Sequence, residues 1–171
     1  MAKKLEIERK YLLRRVPELK WNKVLHIKQL YLKDGSRIRS TRDATPTKED
    51  EGFEIPFPFG RSAKYEQVRK KKLKPGVYEE DEKEISESKY FELEGQAISA
   101  IKKVRYIYKI SKKLKWEIDL YQNIRMVTAE IELPKEGASF KMPDALKDEI
   151  IMDVTEFPQF TNRAMSIAVK K

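Results

Sequence analysis

The chain has 171 residues, enough for one domain with a core of its own and short for two. Its hydrophobic share of 40% fits a folded globular protein, while its charged share of 38% stands well above the usual ~25%. The net charge of +9 points to an anionic partner, the lack of cysteine excludes disulfides and thiolate metal sites, and the single His26 excludes multi-histidine metal sites.

The opening "KKLEIERKYLL", residues 3–13, predicts a strand over 4–13. Period-two alternation puts Glu6, Glu8 and Lys10 on one face, with Ile7, Arg9 and Tyr11 on the other. A second strand is expected over 26–33 and a third over 36–42, joined by the turn "KDGS". The third carries Arg37 and Arg39 in register. Residues 43–62, with three prolines, an acidic run and Phe53, Phe57 and Phe59, predict a long loop. Strands over 65–73 and 77–86 flank the turn "KPGV"; the first offers Lys70 and Lys72, with Lys71 as a further choice, and the second Glu82 and Glu84. A helix is expected over 86–101, starting at the Ser86 cap.

Three more strands follow over 103–111, 114–121 and 127–133. They present Lys103 and Arg105, then Glu117 and Asp119, then Glu130 and Glu132. Val104, Tyr106, Trp116, Ile118, Ala129 and Ile131 stand on the opposite faces. A short helix is expected at 143–150, and the tail 157–171 reads as a turn and a short helix. No apolar run approaches the ~20 residues of a membrane span, and no signal-peptide core opens the chain, so a soluble cytoplasmic protein is expected. No repeat or linker divides it, so 1–171 is read as one domain with a loop insertion at 43–62.

These charges sort by strand, mostly one sign at a time, at positions i and i+2. An exposed sheet face gains solubility from mixed signs and has no reason to segregate them. Like charges about 7 Å apart repel unless a counter-ion lies among them. Acid pairs call for a cation; Lys and Arg pairs call for an anion. Both demands are met if eight strands close with the charges inside and the apolar faces outside, around a metal-bound polyphosphate. Alternation alone does not separate such a tunnel from a sandwich.

A family resemblance carried by the order of these motifs decides between them. "EIERK" (Glu6, Glu8, Lys10), "RIR" (Arg37, Arg39), "KVR" (Lys103, Arg105), "WEIDLY" (Glu117, Asp119) and "AEIEL" (Glu130, Glu132) follow one another along the chain. The closing "VTEFPQFTNRAM" carries Thr155 and Asn162. The sequence resembles the triphosphate tunnel metalloenzymes, the CYTH domain superfamily, over almost its whole length. Three features depart from that pattern: "RKKKLK" leaves Lys70 and Lys72, with Lys71 possible, where the family usually shows one clear lysine, Glu80 stands where a basic residue is common, and the 43–62 loop is longer than the family minimum.

The resemblance implies a mainly β (α+β) fold, an eight-stranded antiparallel β-barrel forming a charged tunnel with flanking helices. It implies a divalent-metal-dependent triphosphatase acting on inorganic tripolyphosphate or a nucleoside triphosphate, with Mg²⁺ or Mn²⁺. Glu6, Glu8 and Lys10 are then catalytic. Lys10, Arg37, Arg39, Lys70, Lys72, Lys103 and Arg105 contact phosphates. Metal ligands come from Glu6, Glu8, Glu82, Glu84, Glu117, Asp119, Glu130 and Glu132. Two alternatives stand beside it: a class IV-type adenylyl cyclase, or a non-catalytic module that binds polyphosphate or an RNA 5′ end through "VRKKKLK", Lys170 and Lys171.

Overall fold

The computed structural model describes residues 3–46 and 62–170. Among the described residues, nine strands form one sheet: β1 (Lys4–Leu13), β2 (Lys23–Leu32), β3 (Arg37–Asp43), β4 (Ala63–Lys74), β5 (Val77–Glu84), β6 (Ala97–Lys109), β7 (Lys115–Tyr121), β8 (Val127–Glu132) and β9 (Ile150–Asp153). The lateral order is β5-β4-β3-β2-β6-β7-β8-β1, and β5 pairs again with β1, so eight antiparallel strands close a ring. Strand β9 pairs with Tyr11–Leu13 of β1, on the edge whose earlier residues Lys4–Ile7 pair with β5. Closure removes the sheet edges except at β9.

The barrel is inverted: its main apolar clusters lie outside the ring or at one end of it. Trp116, Ile118, Ala129 and Ile131 face outward from β7 and β8 and pack with Leu146 of α2 (Asp144–Lys147). Phe140 meets the Trp116 ring edge-on at 5.6 Å, and the indole N–H donates to the Lys141 carbonyl at 2.9 Å. On the far side, α1 (Glu87–Glu94) lays Tyr90 and Leu93 on Leu30, Leu32, Ile38 and Tyr65. The Ser86 hydroxyl caps α1 by accepting from Lys89 N at 3.1 Å. At one barrel end, Met165 of α3 (Asn162–Ala168) packs on Tyr31, Ile101 and Tyr121.

Two expected elements come out differently. The helix anticipated over 86–101 stops at Glu94, and Ala97–Lys109 is one thirteen-residue strand. Gly95 and Gln96 break the helix, and pairing with β2 (Tyr31 to Ser99, Gln29 to Ile101) carries the residues after them into the sheet. The helix expected at 143–150 is a single turn at 144–147, followed by β9, which the sequence reading did not foresee. The predicted loop 43–62, with its three phenylalanines, lies mostly outside the described residues. Its first residues fold back on β2, where Ala44 N donates to the Val24 carbonyl at 2.8 Å. Among the described residues, no helix is long and apolar enough to cross a membrane.

Candidate active site

Alternate residues of the ring turn inward and line a cavity of about 620 Å³. Its wall is charged on nearly every strand. Two acid pairs face each other in register across neighbouring strands: Glu8 with Glu132 on β1–β8, and Glu117 with Glu130 on β7–β8. Like charges directly opposite are destabilising, so each needs a counter-charge.

The wall supplies those counter-charges from itself. Lys10 Nζ lies 2.9 Å from Glu130, Lys4 lies 2.6 Å from Glu132, and Arg105 reaches Glu117 at 2.5 Å. Lys70 sits 2.6 Å from Glu6 Oε2 and 3.8 Å from Glu8. Arg39 forks onto Glu66 Oε2 through Nε at 3.0 Å and a terminal nitrogen at 2.6 Å, and also reaches Glu82 at 3.3 Å. Arg37 stands 4.0 Å from Glu80.

Electrostatics within the wall are uneven. Burial, together with the negative charge of Glu130, pushes the Glu8 carboxyl up to about 7, against the pull of Lys70. Burial acts on Glu130 in the same sense, but Lys10, Lys103 and Arg105 outweigh it and hold that carboxyl well below the usual range. Lys10 is buried too, yet Glu130, Tyr121 and Glu8 keep its ammonium charged and raise its pKa.

Residues 154–163 cross one end of the barrel. Val154 N donates to the Lys10 carbonyl, and Thr155 Oγ1 accepts from Lys10 N at 2.9 Å. Tyr121 Oη donates to Asn162 Oδ1 at 2.6 Å, and Arg163 donates to the Gly35 carbonyl at 3.3 Å. Thr155, Phe157, Phe160 and Asn162 thereby join the cavity wall.

No family model matches the chain, and no curated protein matches it in sequence. Solved structures do match its fold. An inorganic triphosphatase, NE1496, superposes at a TM-score of 0.56 with 20% identity, over 95% of this chain and 94% of that one. The PH1819 protein from Pyrococcus horikoshii OT3 superposes at 0.51 with 20% identity, over 84% and 85%. The chain has the CYTH-type fold of these structures.

Within this CYTH-type tunnel, Glu6, Glu8, Lys10, Arg37, Arg39, Lys70, Lys72, Glu82, Arg105, Glu117, Glu130 and Glu132 all stand on the wall. Three of the residues singled out by sequence do not. Lys103 and Asp119 are completely buried and pair at 2.7 Å. Asp119 also accepts from Arg105 at 2.7 and 2.8 Å, so its carboxylate is spent on fixing that guanidinium rather than facing the lumen. Burial and the nearby Arg105 lower the Lys103 pKa to about 8, against the pull of Asp119. Glu84, the last residue of β5, is exposed at the rim.

The wall also holds residues that the sequence reading did not assign to the site. Lys64 and Glu66 line it from β4 and pair at 2.5 Å, and Glu80 lines it from β5. Their parity would have found them: 64 and 66 match 70 and 72, and 80 matches 82. Aliphatic Leu25, Ile27 and Ile107 are on the wall as well, and no charge pattern marks them.

The donor set fits a hard divalent cation. It consists of carboxylate oxygens, with no sulfur among them, crowded enough at Glu8 to favour a proton near neutrality. Among the described residues, no three acids already converge on one point. Each is drawn toward a lysine or arginine, and a polyphosphate competing for those bases would free the acids to gather round a cation.

Proposed function

We propose that the protein is a divalent-metal-dependent triphosphatase that transfers the terminal phosphoryl group of a triphosphate to water. The observation that carries this reading is the self-paired lumen: each wall acid near Glu8 has a cationic partner that a phosphate chain can take over. The likeness of the fold to that of an inorganic triphosphatase supports it.

Lys10, Arg37, Arg39, Lys70, Lys72 and Arg105 hold the phosphate oxygens and offset the charge that builds on them in the transition state. Lys103 works behind Arg105 rather than at a phosphate, because it shares Asp119 with it. Glu8, on the wall between Lys70 and Glu132, accepts a proton at a carboxylate oxygen from the attacking water as the bond to the leaving diphosphate breaks. Glu6, Glu130 and Glu132 would hold Mg²⁺ or Mn²⁺, which would supply charge neutralisation at the phosphate oxygens.

Phosphate release from tripolyphosphate and ATP, with Mg²⁺, Mn²⁺ or EDTA, tests the reading. Release should depend on metal, and Glu8→Gln should lower kcat/KM by about 100-fold or more. Equal rates in the two proteins, or release undiminished by EDTA, would reject it. Chromatography of the ATP reaction should give ADP and phosphate; cyclic AMP with pyrophosphate would assign cyclase chemistry instead.

A further inference from the structure

Strand β1 changes partner along one edge. Lys4–Ile7 pair with β5 and Tyr11–Leu13 with β9, so Glu8, Arg9 and Lys10 lie in a seam between two ladders. An amide facing such a seam has no neighbouring strand to bond and must find another acceptor. Glu8 N donates to the Gly76 carbonyl of the β4–β5 turn at 2.8 Å, and Lys10 N donates to Thr155 Oγ1 at 2.9 Å. The sheet is therefore interrupted where β1 presents Glu8 and Lys10 to the lumen.

Thr155 is fitted into this place through each of its polar groups. Its N–H donates to Asp153 Oδ1 at 2.9 Å, and Arg9 pairs with the other oxygen of Asp153. Its methyl lies against the β4–β5 turn, where a Cβ on Gly76 would meet it at 2.8 Å. Its hydroxyl stands 3.4 Å from the Lys10 carbonyl oxygen, which Val154 N also bonds, at 2.9 Å. The hydroxyl thus accepts from, and points its proton back at, the backbone of one residue. That residue is 6% exposed, and its ammonium lies 2.9 Å from Glu130.

We infer that Thr155 is a positioning residue: it clamps the β1 backbone at Lys10 and so sets where the Lys10 ammonium meets phosphate. The inference rests on the triphosphatase reading above and adds to it a group that acts through Lys10 without touching substrate. Misplacing a reacting group by about 1 Å can cost about 100-fold in rate. The Gly76 and Val154 bonds still hold the seam when the hydroxyl is lost, so a smaller loss is expected here.

The test compares tripolyphosphate hydrolysis with Mg²⁺ in wild type, Thr155→Val, which keeps the shape and loses the hydroxyl, and Thr155→Ser, which does the reverse. Thr155→Val should lower kcat/KM about tenfold, chiefly in kcat, and Thr155→Ser should stay within about twofold of wild type. In a Lys10→Ala background, Thr155→Val should have little further effect. Unchanged kcat/KM in Thr155→Val overturns the inference. So does an undiminished further loss on top of Lys10→Ala, which would mean that the hydroxyl meets substrate itself or serves folding alone. Amide exchange reads the clamp without turnover: the Lys10 N–H should exchange about tenfold faster in Thr155→Val than in wild type. A wild type that hydrolyses nothing removes the triphosphatase reading, and exchange then decides the clamp; equal exchange in the two proteins overturns it.

Discussion

Glu66 is 3% exposed and is held by Arg39 on one oxygen and by Lys64 on the other. Burial opposes its charge, but the hydrogen bonds from Lys64 and Arg39 prevail and bring its pKa down to about 2. A carboxylate depressed from 4.5 in the unfolded chain to about 2 in the folded one stabilises the fold above pH 4.5. That contribution is lost as pH falls toward 2. Because Lys64 is half exposed, solvent screening trims the effect to roughly 1–2 kcal/mol. Urea unfolding of Glu66→Gln should show that loss at pH 7 and a flatter decline in stability between pH 4.5 and 2. The same variant should weaken phosphate binding, because Arg39 loses the fork that orients it; Glu66 thus acts as a positioning residue.

At the scale of an element, the β4–β5 turn illustrates how tightly the strands are docked. Gly76 has φ +73°, and a Cβ there would lie 2.7 Å from the Glu8 carbonyl oxygen and 2.8 Å from the Thr155 methyl. Its own carbonyl accepts from Glu8 N at 2.8 Å, so the turn is pinned to the strand that carries two of the wall acids. Gly35, in the β2–β3 turn, has a similar φ of +84° but open space around it. Gly35→Ala should therefore cost only the ~1 kcal/mol of a strained left-handed residue. Gly76→Ala should cost about 2–4 kcal/mol by adding a backbone clash, and should displace Glu8 as well. Denaturant midpoints separate the two; equal losses would mean that the turn yields without moving β1.

For the molecule as a whole, closure with the charges inside creates a stability problem that ligand binding would relieve. Lys10–Glu130 and Lys70–Glu6 are shielded ion pairs, and such pairs return little net stability after desolvation. The main apolar clusters outside and at one end of the ring hold the barrel together instead. A polyanion taken into the lumen would replace acid–base contacts such as Lys10–Glu130 with phosphate contacts. Tripolyphosphate with Mg²⁺ at about 100 times its Kd should stabilise the protein by about 2.7 kcal/mol, a rise in Tm of roughly 5–10 °C. A thermal scan checks this. No shift for wild type would mean that the lumen does not take the chain, and an equal shift for Arg37→Ala would mean that it binds elsewhere.

The sequence alone determined which residues could face inward, because period-two alternation is local: Glu6, Glu8 and Lys10 share a face whatever surrounds them. It determined the outward apolar faces of β7 and β8 for the same reason. The tertiary structure decided what local pattern cannot carry. Whether Ala97–Ile101 continued a helix or joined a sheet rested on pairing with β2, a partner some seventy residues away. Asp119 has the same alternation as Glu117, yet only the ring's packing put one at the lumen and closed the other in with Lys103 and Arg105. The aliphatic patch of Leu25, Ile27 and Ile107 was invisible for the opposite reason: an apolar residue reads as core until the fold shows which side of the wall is hollow.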